Sequence, residues 1–144
     1  MPSPRERLRS AMAGCLRRIS KANGYQTDAG LAVTLEPGQV NDETASVVAV
    51  VIAAQARASD LAVRDTHRLT TVGVVAKVPA QQGNAQAALD AIVDDVERCM
   101  RDQQSRFPLG IAFPRYLDMQ PIKPEPGMAW IGAVIQYQTH IPIV

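Results

Sequence analysis

Aromatic side chains are scarce in this sequence. One Trp, three Tyr and two Phe make up 4% of its 144 residues, too few to supply stacking platforms for nucleic-acid bases. Histidine is scarcer still. His67 and His140 are the only two, and neither lies in HExxH or any other zinc-ligand spacing. Cysteine occurs twice, as Cys15 and Cys99, far apart and outside any CxxC pair. That usage excludes a disulfide framework and suits a reducing compartment. Phosphate-cradling GxGxxG and GxxxxGK[ST] motifs are missing, as is the nucleophile elbow GxSxG, so nucleotide-cofactor and serine-hydrolase chemistry have no motif support. The longest apolar run, residues 46–54, falls far short of the roughly 20 residues that a membrane helix needs. The basic run at residues 2–9 is not followed by an apolar stretch, so a secretory leader is not expected.

What is present describes one folded domain over residues 1–144, with residues 1–3 as a flexible lead-in. Apolar residues make up 47%, enough for a sizeable core. The formal net charge is +1 and the pI is near 7.8, which excludes a uniformly basic nucleic-acid binder. The total conceals a split. Residues 1–21 hold six basic groups against Glu6, a formal +5, and the remaining nine basic and thirteen acidic groups give −4. Three readings of that asymmetry stay open: contact with nucleic acid, a charged contact between subunits, or a solvated helix face.

Hydrophobic periodicity predicts a helix over residues 4–22. Leu8, Met12, Cys15, Leu16 and Ile19 form its stripe, Ser3 its N-cap and Asn23-Gly24 its stop. A short extended piece follows at residues 31–35. Residues 47–53 form a β-branched strand that is apolar on both faces, hence central or covered on both sides. Residues 57–67 read as a charged connection. Over residues 69–78, Val72, Val74, Ala76 and Val78 alternate onto one face of a second strand, which pairs with the first as an antiparallel hairpin. Asn84 opens a second helix whose stripe is Ala85, Ala88, Leu89, Ile92, Val96, Cys99 and Met100. Asp90, Asp94, Asp95, Glu97, Arg98 and Arg101 form its polar side, and Pro108 excludes further helix. Residues 107–127 carry Pro108, Pro114, Pro121, Pro124 and Pro126 and read as a long loop. A last strand runs over residues 128–138, with Ile131, Ala133, Ile135 and Tyr137 on its apolar side. This order indicates an α+β fold: an antiparallel or mixed sheet of about four strands with two helices packed on one face.

Isolated polar residues make no constellation. Cys15 and Cys99 sit on apolar stripes and read as small buried hydrophobes. Asp90 and Asp94 share a helix face but lack further ligands for a cation. His67 has no nucleophile or orienting partner in view. No catalytic residue, metal site or cofactor is expected.

One local pattern is more specific. After the first helix come Ile19, then Ala22-Asn23-Gly24-Tyr25, then Thr27-Asp28-Ala29-Gly30. This helix-then-turn stretch resembles the tail terminator, or minor tail protein U-like, family of long-tailed bacteriophages and prophages. Further features follow in that family's order: Asp42-Glu43 before an apolar strand, a valine-alternating strand, an acidic helix containing Asp94-Asp95, and a closing strand with Tyr137. The resemblance covers most of residues 5–142 but not the Pro-rich segment 114–127. It implies an α+β fold without enzymatic activity or cofactor. It also implies a ring, hexameric in the assembled tail, that caps the head-proximal end of the tail tube, ends tube polymerisation and offers the surface that joins tail to head. The implied partners are further copies of the chain, a tail-tube protein and a head-completion or connector protein, but neither a membrane nor a specific nucleic-acid sequence. The implied location is the virion tail, after assembly in the host cytoplasm.

Within the turn, Asn23, Gly24, Tyr25, Thr27, Asp28 and Gly30 are the residues of the resemblance. Gly24 and Gly30 are expected at positive φ. Tyr25 is expected to pack its ring with a wet hydroxyl, and Asp28 to accept backbone N–H groups in an Asx-turn. For subunit contacts the candidates are Arg5, Arg9, Arg17 and Arg18 on the basic helix, and Val48, Val50 and Ile52 on the apolar strand. Two other readings remain. One is a neck or tail-completion adaptor or a tail-tube-like subunit. The other is a small cytosolic enzyme or ligand-binding domain built on Arg64, Asp65 and His67.

Overall fold

A computed structural model describes residues 2–41, 44–102, 107 and 110–144. Asp42, Glu43 and Pro108 therefore lie outside the described residues.

Helix α1 spans Pro4–Leu16. Ser3 Oγ accepts the Glu6 N–H at 3.2 Å, satisfying one of the amides that a helix start leaves unpaired. Leu8, Met12, Cys15 and Leu16 are buried, as the stripe requires. The helix is six residues shorter than the periodicity predicts. Ile19 is buried, but it reaches the core from a tight turn: the amides of Arg18 and Ile19 bond back to Cys15 and Leu16, and Ser20 is extended. No basic residue therefore sits in the last helical turn.

The strands are β1 (Val33–Thr34), β2 (Val47–Arg57), β3 (His67–Pro79), β4 (Arg115–Ile122) and β5 (Trp130–Pro142), with helix α2 (Ala85–Asp102) between β3 and β4. They form a single mixed sheet in the order β1-β2-β3-β5-β4. β1 runs parallel to β2, and every other neighbour is antiparallel. The fold is α+β, with five strands rather than about four. The additional strand is β4, which takes eight residues from the segment 107–127 read as a long loop. Pro121 is tolerated there because β4 has a partner on one side only, so a missing N–H need not break a ladder bond.

Both helices pack on one face. Cross-strand register places Val48, Ala76 and Ala133 in one row, Val50, Val74 and Ile135 in the next, and Ile52, Val72 and Tyr137 in a third. All share a side of the sheet, and they form one core with Leu8, Met12 and Leu16 of α1 and Leu89, Ile92, Val96 and Met100 of α2. Burying each such aliphatic side chain contributes about 1.5–3 kcal/mol. The opposite face carries Thr71, Val75, Lys77, Val134, Gln136 and Gln138, all partly exposed. Lys77 Nζ lies 4.2 Å over the Trp130 ring there. β2 is buried on both sides only over residues 47–50, and from Ala53 onward it is exposed. With β1 pairing only at Val48 and Ala49, the far half of β2 is a free edge.

Candidate functional site

The turn of residues 19–30 closes α1 onto α2. Gly24 has φ +89°, a left-handed conformation that favours glycine, and its carbonyl accepts from Arg98 Nη1 at 2.8 Å. The Arg98 guanidinium also lies 4.6 Å over the Tyr25 ring and forms a long ion pair with Asp102 at 3.8 Å. Tyr25 is half-buried, and its side chain hydrogen-bonds the Cys99 thiol. Asn23 donates from Nδ2 to the Arg18 carbonyl at 2.8 Å, while its own N–H donates to Ser20 Oγ at 3.2 Å. Asp28 does not close an Asx-turn with following amides. Its Oδ1 accepts the N–H of Lys21, seven residues earlier, at 2.8 Å.

Gly30 is not at positive φ, contrary to expectation: among the described residues only Gly24, Gly110 and Gly127 are. Its requirement is space. A Cβ there would stand 2.5 Å from the Arg17 carbonyl oxygen and 2.6 Å from that of Ile19, and the Gly30 N–H donates to the Ile19 carbonyl at 2.9 Å.

Asp95 anchors the whole turn. Its carboxylate accepts the Gln26 N–H at 3.1 Å, the Thr27 N–H at 2.8 Å and the Thr27 hydroxyl at 2.7 Å. The residue is 1% exposed, so its placement on the polar side of the second helix is overturned. The signal was present in the sequence. Position 95 lies three residues after Ile92 and four before Cys99, on the buried stripe itself.

Below the turn, both cysteines are buried without a disulfide. The Cys99 thiol donates to the Cys15 carbonyl at 3.1 Å. Desolvation pushes its pKa up to about 11, with the Tyr25 hydrogen bond opposing.

The proposed contact residues separate into two groups. Val48 and Val50 are fully buried and Ile52 is packed against the same core, beneath the chain's own helices. The expected contact of Val48 and Val50 with a neighbour is corrected, because these two present no free surface, while Ile52 stays partly exposed. The arginines lie outside: Arg5 donates to Gln55 Oε1 at 3.0 Å, Arg9 to the Leu35 carbonyl at 3.2 Å, and Arg17 and Arg18 are exposed. Among the described residues none of the four forms a salt bridge.

Arg64 and Asp65 are exposed on the β2–β3 connection, and His67 Nδ1 pairs with the adjacent Thr66 hydroxyl at 2.8 Å. These three residues assemble no nucleophile and base. His140 Nε2 accepts the Ser59 N–H at 3.3 Å. Asp90 and Asp94 stand exposed on α2. Among the described residues no group of three His, Cys, Asp or Glu side chains could hold a metal ion, and no helix is long and apolar enough to cross a membrane. No protein-family model matches the chain, and no curated protein sequence matches it either.

Proposed function

We propose that this chain is a structural virion subunit, not an enzyme: a ring-forming tail terminator that caps the head-proximal end of a phage or prophage tail tube and offers the surface for joining the head. Its partners on this reading are copies of itself, the tail-tube protein and a head-completion protein. The observation that supports it most is the turn of residues 19–30. Gly24, Tyr25, Thr27, Asp28 and Gly30, which carry the resemblance, each make a defined contact or fill a space that admits nothing larger. The turn is thus an element specified residue by residue within the subunit. Its work within the subunit is to fix α1 against α2, which sets the outer shape that a neighbour meets. The segregation of basic groups into the first 21 residues suits the unlike-to-unlike contacts of a cyclic ring.

The test is assembly. Purified protein is mixed with polymerising tail-tube protein and followed by light scattering and negative-stain imaging. A ring that stops tube growth and decorates one tube end is expected. A strict monomer that leaves tube length unchanged refutes the proposal. Open-ended filaments of the chain alone favour a tube-like subunit instead.

A further inference from the structure

The tip of the β2–β3 hairpin gathers three arginines, Arg57, Arg64 and Arg68, against two exposed carboxylates, Asp60 and Asp65. Arg57 lies directly across from Arg68 in the strand register, and like charges in that position destabilise a sheet. Arg64 lines the same open concavity, together with one carboxylate, Asp65, which leaves a formal +2. Among the described residues no salt bridge involves any of the three arginines. Arg68 Nη1 instead donates to the carbonyl of the preceding residue, His67, at 3.1 Å. On the same tip Leu61 is 74% exposed. The tip projects past the cover of β1, since residues 53–57 of β2 are all exposed.

A second patch has the opposite sign. Asp90 and Asp94 stand one turn apart on the exposed face of α2, again a like-charge spacing that costs stability. Asp90 accepts only an amide, from Gln86 Nε2 at 3.0 Å, and among the described residues neither carboxylate is in a salt bridge. The basic patch sits where β3 begins. From Arg68, β3 runs to Pro79, roughly 35 Å at about 3.3 Å per residue, before the chain turns into α2. The acidic patch lies around the middle of that helix. The two patches therefore sit on different elements, the hairpin tip and the exposed face of α2.

We infer that a second copy of this chain occupies the basic tip, with Arg57, Arg64 and Arg68 of one subunit seated on the Asp90–Asp94 face of α2 in the next. Each patch carries a like-charge pair that forms no salt bridge among the described residues of its own subunit, and one contact relieves both. Because the two surfaces differ, the contact is heterologous, the kind that closes into rings. The inference rests on the ring-forming reading above and names its contact. It adds the hairpin tip to the arginines of α1 as a place where subunits meet.

Charge reversal tests it. Arg64→Glu with Arg68→Glu, and separately Asp90→Arg with Asp94→Arg, are each expected to weaken self-association at least tenfold in light scattering, because like charges then face each other. All four substitutions in one chain, or a one-to-one mixture of the two reversed proteins, are expected to restore assembly. If wild type forms rings and either reversed protein assembles as well as wild type, the contact is wrong while the ring reading stands. If assembly is lost and neither the combined chain nor the mixture restores it, the pairing is also wrong. If wild type stays monomeric, both fall. Should a reversal melt the fold in circular dichroism, the neutral pair Arg64→Gln with Arg68→Gln serves instead. It must flatten the salt dependence of assembly, and an unchanged salt dependence overturns the contact.

Discussion

Thr27 and Asp95, 68 residues apart in sequence, are joined twice at one oxygen: the amide and the hydroxyl of Thr27 both donate to Asp95 Oδ2, at 2.8 and 2.7 Å. Gln26 supplies a third donor at Oδ1. A buried carboxylate is held in place by such donors, and losing them leaves polar groups unpaired.

Asp95→Ala is therefore expected to cost about 3 kcal/mol in urea denaturation, because three donors lose one acceptor. Thr27→Val, which removes the hydroxyl's bond to Asp95 and its acceptance of the Ala29 N–H at 3.2 Å, is expected to cost about 1–3 kcal/mol. A loss below about 0.5 kcal/mol for Asp95→Ala would contradict the anchoring role.

Gly30→Ala and Gly38→Ala separate space from conformation. A methyl at position 30 meets two backbone carbonyls, whereas at position 38 nothing lies within 4 Å. The first is expected to destabilise by more than about 2 kcal/mol, the second by within about 0.5 kcal/mol of zero. Equal thermal midpoints for the two variants would disprove the close approach at Gly30.

Val50→Ala is expected to cost about 2 kcal/mol of the subunit's own stability, measured by denaturation at a concentration where it is monomeric. Val50 is fully buried against the helices. If the cost shows only in assembly and not in monomer unfolding, its assignment to the core is wrong.

The Cys99 thiol is raised from 9.0 to about 11 by burial. Above pH 9 the unfolded chain loses this proton while the folded one keeps it, so the unfolded state binds fewer protons and stability falls. The contribution is complete below pH 9 and is lost as pH climbs toward 11. Tyr137, raised by burial, and Tyr116, raised chiefly by a hydrogen bond with Glu97, act in the same sense at higher pH. A Cys99→Ala variant is expected to flatten the decline between pH 9 and 11. Slow reaction of native protein with a thiol reagent at pH 8 is expected too, and rapid modification of Cys99 would contradict its burial.

Periodicity alone located α2, β3 and β5, because each buries one face and the pattern reports it. It overran α1 because Ile19 continues the helical stripe, and its backbone turn depends on Gly30 packing against Arg17 and Ile19. It missed β4 because that strand is exposed along nearly its whole length. An edge strand with little buried surface has no hydrophobic alternation to betray it, and Pro121 argues against strand from sequence. The turn residues were legible as a unit, and Asp95, though it follows exposed Asp94, stands at the helical spacing of buried Ile92 and Cys99. The pairing of Arg57 with Arg68 depends on strand register and had no sequence signature.

The position of β5 between β3 and β4 has a consequence for synthesis. A nascent chain can form the β2–β3 hairpin and α2 early, but β3 keeps an unsatisfied edge until residues 130–142 leave the ribosome, and β4 emerges before its only partner exists. Sheet closure must wait for that last strand, joining segments more than fifty residues apart. Folding is therefore expected in the slow, high-contact-order regime of milliseconds to seconds, and until β5 inserts, the exposed edge of β3 is where nascent copies are most open to mispairing with one another.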